Sequence, residues 1–190
     1  MILPIRAFGD PILRKKTHEI DKNFPELQTL IDDMFETMSA ANGIGLAAPQ
    51  VGVDIRLFVA DVSPLAEDDD YQNIANELKT FRKVFINAKI LGESGEEWKF
   101  NEGCLSIPEV REDIKRKSNV KIEYYDRNFV KHIEDFSDIR ARVVQHEYDH
   151  IEGILFTDRL STLKKKIIKG KLQKIANGNV NVNYKMKFPK

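Results

Sequence analysis

Residues 146–150 read His146-Glu147-Tyr148-Asp149-His150, and no other run constrains the fold as much. On an α-helix, residues four apart rise about 6 Å and sit about 40° apart around the axis, so both imidazoles can face one cation. Glu147 then stands beside that cation, placed to handle the protons of a bound water rather than to bind the metal. Ile139 and Val143 fall on the same side, and Gly153 supplies a stop. A helix with ligands and apolar residues on one side belongs at the centre of the molecule, where burial also keeps water out. Two ligands leave such a site incomplete. Cys104, the single cysteine, is the candidate third ligand: a thiolate adds negative charge and a soft donor and leaves a fourth position for water. A lone cysteine is otherwise a small buried hydrophobe, and only the flanking Glu102-Gly103-Cys104-Leu105-Ser106 weighs against that reading.

Around this helix the pattern is mixed. Leu27, Leu30, Ile31, Met34, Phe35 and Met38 recur at helical spacing, with Pro25 suited to the first turn and Asn42-Gly43 as a stop. Ile55 to Ala60 reads as a strand. Further strands are expected over 81–91 and 98–107, joined by Gly92-Glu93-Ser94-Gly95, and Val120, Ile122 and Tyr124 alternate as in a half-buried strand. Leu163, Ile167, Ile168, Leu172 and Ile175 describe a second amphipathic helix, interrupted by Gly170. From Val180 to Phe188 apolar residues alternate with Asn and Lys, which predicts an edge strand joining the body's sheet. The expected fold is α+β, with largely antiparallel sheets around a central metal-binding helix, a C-terminal helix and a terminal edge strand. Residues 1–190 are read as one domain, with a surface insertion at 62–80, a basic helix at 161–176 and the edge strand at 180–188. The insertion carries Pro64 and the acidic run Glu67-Asp68-Asp69-Asp70, and its purpose is not visible in the sequence.

A chain of 190 residues, 42% hydrophobic and 32% charged, can build a real core, and nothing in it suggests a coiled coil, collagen or a disulfide scaffold. Pro4, Asp10 and Pro11 break the first segment, and no apolar run approaches the roughly 18 residues of a membrane span. A cytoplasmic protein without a membrane partner is expected, and a metal-bound thiolate agrees with a reducing compartment. The net charge of +0 hides an asymmetry. From Ser161 onward there are nine lysines and no Asp, Glu or Arg, which leaves 21 of the 30 basic residues against all 30 acidic ones in residues 1–160. On charge alone, that tail serves equally well as a docking surface for a polyanion or as a solvated helix face.

A third block, Gly43-Ile44-Gly45-Leu46-Ala47-Ala48-Pro49-Gln50, precedes the other two, and Gln145 precedes the metal helix. Together the three blocks resemble the signature motifs of bacterial peptide deformylases, and the similarity extends through most of residues 1 to 175. The resemblance implies hydrolysis of the N-formyl group of formyl-methionyl nascent peptides, with release of formate. It implies Cys104, His146 and His150 as metal ligands, Glu147 as proton carrier, and the Gln50 amide with the Leu105 backbone N–H as donors to the developing oxyanion. Gly43, Ile44 and Gly45 would meet the substrate backbone as an added strand. Ile44, Phe100, Ile139 and Val143 match pocket-lining positions for the methionine, though ordinary core would look the same. Arg111 would contact the peptide further along, Arg116 would pair with Glu102, and Arg142 departs from a more apolar position, its stem packing while its charge reaches solvent. Fe2+ is the implied cofactor, with Zn2+, Ni2+ or Co2+ possible in purified protein; the donor set alone suits zinc equally well. A monomer is expected, with the helix at 163–175 docking on the ribosome. His18, His132 and Trp98 are given no functional role. Two other readings compete: a zinc peptidase of the His-Glu-x-x-His type, which ordinarily draws its third ligand from downstream, and a non-catalytic ribosome-associated metal-binding protein, which a closed site with a fourth protein ligand would favour.

Overall fold

Strand β3, Leu57–Asp61, is buried along its whole length because it lies between two apolar layers. Successive side chains of a strand point to opposite faces. Leu57 and Val59 pack with Ile31, Met34, Phe35 and Met38 of helix α1, Leu27–Ala40, whereas Phe58 and Ala60 pack with Ile139, Val143 and Val144 of helix α3, Asp138–Ile151. Each such side chain taken fully out of water stabilises the fold by about 1.5–3 kcal/mol. The five-residue alternation in β3 thus decides which helix sits on which face. A computed structural model describes residues 1–189 of the chain.

The larger sheet has the order β2-β3-β4-β5-β6, with β2 at Gly45–Ala47, β4 at Arg82–Cys104, β5 at Ile107–Tyr125 and β6 at Lys131–Phe136, and every neighbouring pair is antiparallel. The two strands expected over 81–107 are in fact one. Residues 92–95 form no turn; the ladder continues through them with register shifts, and Gly95 takes a φ of +79°. A bulge absorbs an extra residue by bending a strand, and glycine permits the backbone angles this needs, so the strand bends without ending. The hairpin closes with Leu105 and Ser106 alone between paired Cys104 and Ile107.

Helix α3 lies against β2, β3 and β5, and it stops at Gly153, whose φ is +75° and where an added Cβ would press on the Arg14 carbonyl. The segment 62–80 forms two short 3-10 turns and helix α2, Ala75–Lys79. Its acidic residues face solvent, but Ala66 and Leu78 are buried and Leu65, Tyr71 and Ile74 pack on the core beside α3.

Helix α4, Thr162–Ala176, is capped by the Ser161 hydroxyl and runs unbroken through Gly170, since one glycine costs only about 1 kcal/mol in a helix. Its apolar face is narrower than the spacing suggests. Ile168 and Ile175 are buried, but Leu163 and Ile167 are 68% and 69% exposed because the body meets only one side of the helix. The terminal strand is shorter and elsewhere than expected. Strand β7, Met186–Lys187, pairs parallel with β1, Ile5–Arg6, in a separate two-stranded sheet rather than on the larger one. Along 180–188 the apolar residues are nonetheless half-buried and the residues between them exposed. Among the described residues no helix is long and apolar enough to cross a membrane.

Candidate metal centre and active site

Three separate elements converge on one point. Helix α3 presents His146, Glu147 and His150; Cys104 ends β4 at the tip of the long hairpin; Gln50 sits in the 3-10 turn that follows β2. One ligand atom each from Cys104, His146 and His150 lie within 4.8 Å of one another, and Cys104 Sγ is 3.3 Å from His150 Nε2. Ligand atoms around a tetrahedral cation with bonds of about 2.0–2.3 Å stand on the order of 3.5 Å apart, so this donor set fits a divalent metal. His146 Nδ1 lies 2.9 Å from Glu102 Oε2, a bond that puts the ring proton on Nδ1 and leaves Nε2 free for a metal.

Glu102 anchors a buried charge cluster beneath the site. Arg116 donates to both of its oxygens, at 2.7 and 3.0 Å, and also to Asp149 at 2.7 Å, while Asp149 in turn accepts from Arg159. Burial opposes the charge on Glu102, but its bonds from Arg116 and His146 prevail and hold the carboxyl well below the usual carboxylate range. Arg142 does not reach solvent as expected. Its guanidinium is buried and donates to Glu102 at 2.9 Å and to the carbonyls of Ile114 and Trp98, with its central carbon 4.4 Å from the centre of the Trp98 ring. That one carboxylate, the two carbonyls and the aromatic face offset part of the desolvation that an isolated charge could not bear.

Burial pushes the pKa of Glu147 up to about 7, and its Oε2 finds no hydrogen-bond partner among the described residues. Burial and the neighbouring positive charges of His146 and Arg116 hold His150 well below the ordinary histidine value. For His146 burial acts in the same sense, but the bonds to Cys104 and Glu102 and the Glu147 carboxylate outweigh it and raise its pKa. Gly45 lies so close to Glu147 that an added Cβ would fall on its carboxylate. The Oε1 of Gln50 accepts from Ala47 N–H at 2.8 Å, which turns its Nε2 toward Ser106 Oγ, 3.2 Å away, and Cys104 Sγ.

A cleft opens over this point. Gly43, Ile44, Gly45, Gln50, Phe100, Leu105, Arg111 and Val143 all line it, whereas Ile139 is buried in the core behind and does not. Arg111 donates to Asn101 Oδ1 at the rim. Two further walls had no signal in the sequence. Leu65, Asp68, Asp70 and Tyr71 bring the 62–80 segment over one side, and residues 181–184 form part of another.

Residues 2–166 match the family model described as polypeptide deformylase. The chain belongs to that family. It is 57% identical over 190 residues to the peptide deformylase of Christiangramia forsetii, covering 100% of this chain and 97% of that one. Its identity to the peptide deformylase of Flavobacterium psychrophilum is 56%, over 99% and 97% of the two chains. Among solved structures, a peptide deformylase from Legionella pneumophila superposes with a TM-score of 0.79 at 36% identity, covering 94% of this chain and 98% of that one. As a member of the family the chain is a metal-dependent hydrolase that removes the N-formyl group from nascent polypeptides. The peptidase and the non-catalytic readings fall with that assignment.

Proposed function

We propose that Cys104, His146 and His150 hold one divalent cation, iron(II) in the cell, and that Glu147 carries the protons of deformylation. Bound there, the cation would lower the pKa of a water in its open position and polarise the formyl carbonyl. Glu147 takes the proton of the attacking water and returns it to the leaving amine, base and acid in turn. Gln50 Nε2 and the Leu105 backbone N–H donate to the carbonyl oxygen as charge develops on it; losing one such donor costs about 3 kcal/mol of barrier, a hundredfold or more in rate. Gly43 and Ile44, leading into Gly45 at the start of the edge strand β2, take the substrate backbone with it as an added strand, which needs close approach and small residues. Ile44, Phe100 and Val143 receive the methionine, with Ile139 packing behind them. Arg111 meets the peptide further along.

The observation that carries this reading is the buried Glu147 carboxylate with an unpartnered oxygen beside the Cys/His/His group. Formate release from a formyl-Met tripeptide by anaerobically prepared protein tests it, since an iron–thiolate centre loses activity in air and a zinc one does not. Glu147→Gln should keep one metal per chain and lose about 10²–10⁴-fold in turnover. A variant that loses its metal yet keeps turnover per remaining metal would remove Glu147 from the mechanism.

The same reading extends to partners. The chain works as a monomer and as one domain, and α4 docks it on ribosomal RNA where formylated chains emerge. Lys165, Lys166, Lys169 and Lys174 are exposed on α4 near the exposed Leu163 and Ile167, whereas Lys164 is bound to Glu112 at 2.6 Å.

A further inference from the structure

Tyr184 follows α4 in the extended segment beyond the residues 2–166 matched by the family model, and its hydroxyl donates a 2.8 Å hydrogen bond to the Leu105 carbonyl. Both residues line the cleft. Leu105 and Ser106 are the central pair of the turn between β4 and β5. Two-residue hairpins ordinarily use type I′ or II′ turns, which need positive φ at the first central residue, because those turns match the right-handed twist of the strands. Neither Leu105 nor Ser106 has a positive φ. The turn thus lacks the backbone angles that favour such a hairpin, and the ladder slips register beside it, between Glu102 and Cys104, with Glu109 at a φ of +62°, so contacts from outside help to fix its conformation.

Three hydrogen bonds do so. Phe8 N–H donates to the Ser106 carbonyl at 2.8 Å, Gln50 Nε2 reaches Ser106 Oγ at 3.2 Å, and Tyr184 holds the Leu105 carbonyl. The first two act on Ser106. Among the described residues the Tyr184 bond is the one side-chain hydrogen bond to the Leu105 backbone, and only the φ and ψ of Leu105 separate the held carbonyl from its N–H.

We propose that Tyr184 is a positioning residue for deformylation: by holding the Leu105 carbonyl it sets the hairpin turn so that the Leu105 N–H points at the oxyanion. This rests on the reading of Leu105 N–H as an oxyanion donor. The tail beyond α4 is on this account part of the enzyme's machinery, although Tyr184 touches neither metal nor reacting atoms. Releasing the turn misaligns a donor that counts only in the transition state, so kcat changes and substrate affinity does not.

Tyr184→Phe keeps the ring and its packing and removes the one hydroxyl. The test compares this variant and Gln50→Leu with the parent protein, all metal-loaded, by formyl-Met tripeptide kinetics, metal content and, in the zinc form, amide exchange followed by NMR. For Tyr184→Phe we expect kcat to fall about tenfold, less than the hundredfold or more of a lost donor. KM and metal content should be unchanged, and exchange should accelerate at Leu105 and Ser106 but not across the sheet. For Gln50→Leu, kcat should fall further. Parental kcat in Tyr184→Phe with an impaired Gln50→Leu overturns the positioning role and leaves the oxyanion reading standing. Parental kcat in both overturns the oxyanion reading and the proposal with it. A raised KM at constant kcat shows Tyr184 to be only a wall of the cleft, which also overturns the proposal.

Discussion

At the scale of single residues, the site depends on side chains that would bind no metal. Glu102 orients His146 and shares its two oxygens among Arg116, Arg142 and that histidine. Glu102→Gln preserves shape but leaves two buried guanidinium groups short of an opposite charge. Breaking a buried ion pair on one side costs about 3–5 kcal/mol, and losing the partner of a ligating histidine weakens metal affinity about 10–100-fold. Denaturant unfolding and chelator competition should register both losses; an unchanged chelator midpoint would separate Glu102 from the metal. Gly45→Ala is the complementary case, because the new Cβ displaces the Glu147 carboxylate while the ligand atoms stay in place. Metal content should hold while turnover falls about a hundredfold, the scale expected when a reacting group moves by about 1 Å. Glu102 was legible as a motif member, and its pairing with Arg116 followed from the family resemblance. The burial of Arg142 on the same carboxylate was not legible, since nothing local distinguishes an arginine that meets solvent from one that meets a carboxylate 40 residues away.

At the scale of elements, periodicity located α1, α3 and α4 closely, because helix-spaced apolar residues answer to a local rule. It misjudged what the elements would face. Gly92 to Gly95 looked like a turn and is a bulged ladder, and Leu163 and Ile167 looked like core and are open to solvent. On α4 this leaves lysines and two apolar side chains on the surface. If the helix docks on RNA, Lys165, Lys169 and Lys174 changed together to Gln should sharply reduce co-sedimentation with ribosomes. The parent's binding should weaken with salt by a log–log slope of about −0.7 to −0.9 per neutralised phosphate. Turnover of a free formyl-Met tripeptide should not change. Salt-insensitive association would argue against contact through phosphates.

At the scale of the whole molecule, the chain's two ends are tied together. Ile5 and Ala7 donate their backbone N–H groups to the carbonyls of Lys185 and Lys187, both at 2.9 Å, and Met186 and Phe188 pack on a cluster that includes Leu13, Ile107 and Phe156. Truncation after Gly178 removes those bonds and that packing; the two bonds alone contribute about 2 kcal/mol, so the melting temperature should fall by at least about 4–8 °C for a chain of this size. The helix and hairpin that carry Cys104, His146 and His150 do not include the removed residues, so metal stoichiometry should survive. A melting temperature equal to that of the full chain would mean that the ends contribute nothing to stability.

What the sequence by itself determined is what local spacing and side-chain chemistry encode. Two imidazoles four apart face the same way on a helix, apolar residues at helical spacing make a helix, and three short blocks carry the family. Only the tertiary structure decided which distant groups meet. Cys104 comes within 3.3 Å of a histidine 46 positions later, burial lifts Glu147 to about 7, the acidic segment at 62–80 overhangs the cleft, and Tyr184 reaches back to Leu105. Each depends on how sheet and helices stack and on the water they exclude. No periodicity along the chain records either, because contacts between residues far apart in sequence leave the local pattern of each unchanged.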